Sequence, residues 1–330
     1  MKPLIDEIKK RIKDKDEITK RYILLRHALL KTIREFFYRN GYIEVETPSL
    51  NTTCAPDPYI DPLKVYVNEK GPFYLHTSPE MGMKKLLKFG FKRIFQICKV
   101  FRVEHIDTTH SIEFTMLEWY REGTYRELMD EVMELLEFIS KKLNLNEKRF
   151  SKNQIKIYDL EKLFIERTGI NPFKLTRPDF IKQAEKIICI DKKDTWNDIF
   201  FKIFIQEIEP GIKENRPYFI IDWPSTISSM AKQKEKNKVE RFEMYINGLE
   251  IANGYTELMD SKSMKERFKK ENLKRKSLKK DVFLYDNEFL KAIDTVKADF
   301  AGVSIGIDRL LMALTGKNRV DDVLPYRLKV

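Results

Sequence analysis

The chain has 330 residues, 42% hydrophobic and 34% charged, and carries 62 lysines and arginines against 51 acids for a net charge of +11. That length supports one large or two ordinary domains with a substantial core, and no stretch approaches the roughly 18 uninterrupted apolar residues of a membrane span. A start charged throughout argues against a secretory signal, and the isolated Cys54, Cys98 and Cys189 argue for reduced cytoplasmic thiols rather than a disulfide framework or a zinc site. The positive charge suits an acidic macromolecular partner such as RNA or a nucleic-acid-like protein; genome composition or a hot habitat explains it equally.

Residues 18–40 place Ile23, Leu24, His27, Leu30, Ile33, Phe36 and Phe37 in a three-four pattern, which predicts a long helix stopped by Asn40-Gly41. A strand follows over 42–45 and closes at Thr47-Pro48. Pro56, Pro58, Pro62 and Pro72 predict a loop over 49–72 with at most one edge strand. Residues 73–76 resume a strand. Thr77-Ser78-Pro79-Glu80 then opens a helix, with Ser78 as N-cap, Pro79 at the first helical position and Glu80 at the positive end. Capping accounts for these residues, while a carboxylate at a strand-to-helix turn is also a natural ligand for an amine.

The stretch 93–120 reads as two apolar strands around a polar loop, 105–111, that holds His105 and His110. In pleated strands Arg102 and Glu104 share a face, as do Phe114, Met116, Glu118 and Tyr120. Such a face offers an aromatic to a base, an arginine to a phosphate and acids to amines. An ordinary antiparallel pair with ion pairs across it is the alternative, and the histidines suit either phosphate contact or simple exposure.

Residues 123–145 predict an amphipathic helix and 146–153 a polar connection, followed by helices near 159–168, 178–188 and 196–208 and an apolar strand over 217–223. The lysine-rich run 232–241 predicts a solvated, mobile loop. Next, Asn247-Gly248 between two alternating runs signals a hairpin. A two-residue loop pairs Tyr245 with Glu250 and Glu243 with Ala252, leaving Glu243 and Glu250 on one face. Like charges that close repel unless a cation lies between them, which fits a phosphate-bound magnesium ion; the alternative is two exposed acids. Residues 261–280 predict a basic helix, either a solvated face or a surface for RNA or an acidic protein. Residues 301–314 predict a strand running into an apolar helix, with Gly302 and Gly306 allowing close backbone approach and Asp308 and Arg309 at the junction.

The segments TSPE (77–80), FRVE (101–104), HSIEFTMLEWY (110–120), RFE (241–243), GLEIANGYTEL (248–258) and GIDRL (306–310) stand in an order and spacing that resembles the catalytic core of class II aminoacyl-tRNA synthetases of the lysyl type, over nearly the whole chain. The resemblance implies an α+β fold, a mainly antiparallel sheet flanked by helices. It implies a single catalytic domain over 1–330 with a variable insertion at 150–237, and a homodimer built on the first helix and strand. Lysyl-tRNA synthetases add an N-terminal anticodon-binding domain that has no counterpart here, and a short core without it resembles the elongation factor P–lysine ligase family. That family activates lysine or β-lysine with ATP and attaches it to a lysine of elongation factor P, a protein shaped like tRNA. TMLEWYR (115–121), the lack of a glutamate in PSTISSMA (224–231) and Ser304 in place of a glycine agree with it. The other readings are a minimal tRNA-charging enzyme and a synthetase-like regulator without catalysis.

Carried onto this sequence, the resemblance makes Arg102 and Arg309 catalytic. Arg102 would hold the α-phosphate and the lysine carboxylate, and Glu104 would accept from the adenine amino group between Phe114 and Arg309. His110 and Ser111 would face the phosphates, Glu250, Ile251 and Gly306 would line the nucleotide, and Glu243 with Glu250 would bind magnesium. Ser78, Glu80 and Glu118 would surround the substrate's amino end, with Ser304 beside it and Asn253 on the carboxylate. Tyr120 and Glu257 would pair with the side-chain ammonium. ATP and Mg2+ are the implied cofactors, and tRNA and membranes are not implied partners. Val103 and Ser111-Ile112 depart from the RNE and HNPEF of lysyl-type enzymes, and the shorter reach of Ser111 bears on ATP affinity.

Overall fold

The structure, a computed structural model, describes residues 15–103, 107–145, 147–228, 230–324 and 326–328. Helix α1 (Lys15–Arg39) ends as expected, with Gly41 in the left-handed region at φ 72°. Its buried face is Leu25, Ala28, Leu29, Ile33, Phe36 and Phe37, whereas Ile23 and His27 point outwards. The periodicity admitted both stripes, and packing chose between them: Phe37 stacks on Phe95 at 4.6 Å and meets Trp119 edge-on.

Strand β1 (Ile43–Glu44) is followed by β2 (Leu50–Asn51), β3 (Lys64–Val67) and β4 (Lys70–Leu75), which form a separate antiparallel sheet in the order β2-β4-β3. The prolines had predicted a loop here. They do not prevent pairing because Pro56, Pro58 and Pro62 fall between the strands, and Pro72 sits where the β3–β4 ladder shifts register. Helix α2 (Glu80–Leu86) starts one residue later than predicted: Pro79 occupies the cap position, while Ser78 Oγ still accepts from the Glu80 amide at 3.0 Å.

Next come β5 (Arg93–Phe101), β6 (Glu113–Glu122), α3 (Tyr125–Lys142), β7 (Lys156–Asp159), α4 (Leu160–Thr168), α5 (Arg177–Ala184), α6 (Trp196–Ile203) and β8 (Tyr218–Ile221). The run predicted as a mobile loop forms the hairpin β9 (Gln233–Glu235) and β10 (Lys238–Val239) instead. Its lysines meet acids remote in sequence, Lys234 with Asp222 and Lys232 with Asp299, both at 2.7 Å. Strands β11 (Arg241–Ile246) and β12 (Leu249–Thr256) form the Asn247-Gly248 hairpin, and α7 (Ser261–Ser277), α8 (Asn287–Thr295), β13 (Phe300–Gly306) and α9 (Ile307–Thr315) complete the chain.

Eight strands make one sheet in the order β1-β5-β6-β13-β12-β11-β8-β7, antiparallel except for the two edge pairs, so that β13 sits between β6 and β12. Alternation gives the sheet two chemically distinct faces. Leu117, Trp119, Phe242, Met244, Ala301, Val303 and Ile305 point into the main core with α1, α3 and α9. The other face is polar and carries a cavity. Helices α4–α6 build a second aromatic core on β8, with Phe164 stacked on Phe200 at 4.6 Å.

Candidate active site

The pairing registers align side chains in rows across the polar face. One row runs Glu118, Ser304, Asn253, Glu243 across β6, β13, β12 and β11. The adjacent row runs Tyr120, Gly302, Tyr255, Arg241. Between Met244 and Tyr245 the hairpin register shifts, so Tyr245 pairs with Glu250 as expected but Glu243 pairs with Asn253 rather than Ala252. This β-bulge matters for the face. Glu250 and Asn253 are three apart and in a regular strand would point oppositely; the extra residue puts both on the side of Glu243.

These rows floor a cavity of about 400 Å3. At one end, α2 brings Ser78, Glu80 and Lys84 against Glu118, Tyr120, Tyr255 and Glu257. Glu118 is buried and accepts from Ser78 Oγ and Tyr120 Oη, both at 2.6 Å. Burial and the neighbouring Glu80 carboxylate push its carboxyl up to about 7. Glu80 accepts from Lys84 and from the Tyr255 hydroxyl. Tyr120, placed by resemblance against the substrate's ammonium, gives its hydroxyl proton to Glu118 here.

At the other end, Arg102 lies 5.2 Å over the Phe114 ring and donates Nε to the Thr77 carbonyl at 3.1 Å. Arg309 donates to His110 Nε2 at 2.6 Å and to the Glu250 carbonyl at 3.3 Å. Since a guanidinium only donates, the ring proton of His110 sits on Nδ1, which donates to Asp107 at 2.8 Å. Phe114 from β6 and Arg309 from α9 thus both face the cavity, as a ring clamp requires, and Ser111, Ile251 and Gly306 line it. Glu104 and His105 lie outside the described residues.

Glu243 is buried, accepts from Arg241 at 2.5 Å, and takes the Tyr245 hydroxyl at 2.5 Å. Burial, then the Glu250 charge, pushes its carboxyl up to about 7. No group of three or more His, Cys, Asp or Glu in metal-binding arrangement exists among the described residues. Two carboxylates are nevertheless the donor set that suits Mg2+, which keeps phosphate and water as its remaining ligands. Glu250, which lines the cavity, fits that ion, and Glu243 would join it by exchanging its bonds to Arg241 and Tyr245.

Sequence reasoning missed Lys84, Tyr255 and Arg241. Lys84 stands four residues after Glu80, the spacing of a helical ion pair, and Arg241 and Tyr255 share strand parity with Glu243 and Glu257, so each had a visible signal.

A family model described as tRNA synthetases class II (D, K and N) matches residues 8–329. The chain belongs to this family of class II tRNA synthetases. Its α+β fold and the motif resemblance are borne out, and this class II synthetase chain is a ligase. Among its relatives, the elongation factor P--(R)-beta-lysine ligase of Avibacterium paragallinarum is 33% identical over 321 residues, 93% of this chain and 95% of that protein. The proteins of the same name from Haemophilus ducreyi and Sodalis glossinidius are 33% and 32% identical, over 92% and 93% of this chain and 93% and 95% of theirs.

Proposed function

We propose that this class II synthetase activates lysine or β-lysine with ATP and transfers it to a lysine side chain of elongation factor P. The observation that carries the reading is the polarity of the cavity. Glu80, Glu118 and Glu257 gather at one end, and Arg102 and Arg309 stand at the other with Glu250, while the buried Glu243 pairs with Arg241. A molecule with ammonium groups at one end and phosphates at the other matches it, as an aminoacyl-adenylate does. The carboxylate of the amino acid attacks the α-phosphorus of ATP, the bond to the β-phosphate oxygen breaks, and pyrophosphate leaves with the electron pair. Arg102 stabilises the charge that builds on the α-phosphate, and Arg309 holds the nucleotide. Magnesium on Glu243 and Glu250 would neutralise the distal phosphates. The amine of the acceptor lysine, after losing a proton, attacks the adenylate carbonyl, forms an amide and expels AMP.

The relatives' name supports elongation factor P over tRNA as acceptor. The outer face of α1, where Leu30, Arg34 and Tyr38 border an open groove, suits a homodimer contact. The three free cysteines suit the cytoplasm. Labelled lysine and ATP offered with elongation factor P and with tRNA in separate reactions test the reading. Label on the protein alone is expected, and label on tRNA alone overturns it.

A further inference from the structure

Lys84 is fully buried, which for a lysine requires partners. Its ammonium has three N–H groups and meets three acceptors: Glu80, Glu257 and, at 3.9 Å, the sulfur of Met230. The Tyr255 ring covers it at 5.3 Å. Its hydrogen-bonding capacity is spent within the protein, so it does not contact a ligand. Glu257, equally buried, lines the cavity and pairs with Lys84 through Oε2, while Oε1 has neither an ion-pair nor a hydrogen-bond partner among the described residues. A buried carboxylate oxygen without a donor is an open ligand position.

The charges facing this end are the carboxylates of Glu80, Glu118 and Glu257 and the ammonium of Lys84; the hydroxyls of Tyr120 and Tyr255 complete the wall. Once a cationic ligand draws all three acids into the ionised form, they and the one base leave two negative charges, the complement of an amino acid that carries two ammonium groups. We propose that Lys84 is a specificity-determining positioning residue, a built-in counter-ion that anchors Glu257 through Oε2 and leaves Oε1 for the substrate's side-chain ammonium. The inference rests on the lysine-activating function in naming that substrate. Burial holds the Glu257 carboxyl well above the ordinary carboxylate range; Lys84 pulls it down, and the Glu80 and Glu118 charges push it up. Lys84 is thus the cation that favours the ionised form. Its own ammonium is held charged, because Glu257 and Glu80 outweigh the burial that opposes it.

Lys84→Met keeps the volume and removes the charge. A buried carboxyl whose protonation is favoured in the folded state loses stability as pH rises through its folded value, and removing the cation raises that value further. The melting-temperature gap between wild type and Lys84→Met therefore widens from pH 6 to pH 9. In lysine-dependent pyrophosphate exchange the variant raises KM for lysine about tenfold at pH 7 with little change in kcat, and its preference for lysine over norleucine falls by a similar factor. A gap that is constant with pH, or an unchanged preference for lysine over norleucine, overturns the proposal. If Lys84→Met does not fold, the double variant with Glu257→Gln decides: removing both charges restores folding only if the two groups are each other's counter-ions. If wild type shows no exchange with lysine, the proposed function fails, and the pH-dependent gap still decides the role of Lys84.

Discussion

Glu118 is held near a value of about 7 by burial and by Glu80, so it titrates across the working range of most enzymes. Its protonated form is the one the empty site favours, and that contribution is lost as pH rises through 7. A substrate ammonium favours the ionised form, so KM for lysine in pyrophosphate exchange should fall from pH 6 to pH 8. Glu118→Gln should flatten this profile and raise KM at pH 8 by about tenfold or more. Gly302 makes a second prediction. A methyl group there would overlap the Tyr120 ring and lie 2.5 Å from Glu257 Oε1. Gly302→Ala should cost about 1–3 kcal/mol in unfolding experiments and reduce lysine activation far more than it reduces ATP binding. At this scale the sequence was informative wherever strand parity governs: Glu118 and Tyr120 were placed on one face by spacing alone, and the structure keeps them there. Lys84 escaped because Glu80 was already explained as a capping residue, and nothing local says that Glu257, 173 positions later, folds onto the same ammonium.

The hairpin of β11 and β12 shows what a pattern reveals about an element and what it hides. Asn247-Gly248 located the turn and the first pairs correctly, with Asn247 and Gly248 both at positive φ. The bulge beyond it has no residue signature, and it is what gathers Glu243, Glu250 and Asn253. Glu243→Gln and Glu250→Gln should each lower pyrophosphate exchange about a hundredfold and raise the magnesium concentration needed for half-maximal rate. Asn253 bonds only weakly to Glu243, at 3.4 Å, so Asn253→Ala should leave the magnesium requirement close to wild type. The outward stripe of α1 and the small β2-β4-β3 sheet were misjudged for one reason: two apolar stripes, or proline-spaced segments, are resolved only by partners remote in sequence.

Across the whole molecule, the basic helix α7 stands beside the mouth of the cavity. Arg275 fastens it by donating to the Asp57 carbonyl and to Asp61 at 2.7 Å, and Asp57 and Ile60 line the cavity. Lys262, Lys265, Lys269, Lys270 and Lys276 remain exposed. An acidic acceptor docked there would make transfer sensitive to salt while activation is not. Lys269→Glu with Lys270→Glu should lower labelling of elongation factor P about tenfold and leave pyrophosphate exchange unchanged. The position of β13 has a consequence for how the chain is made. Among the described strands it is the last in chain order, yet it separates β6 from β12, so Glu118 on one side and Glu243 and Glu250 on the other belong to two half-sheets with no direct ladder between them. While a ribosome is still extending the chain, both halves can be present with no working centre. The polar face becomes one continuous surface only when β13 closes the seam between them.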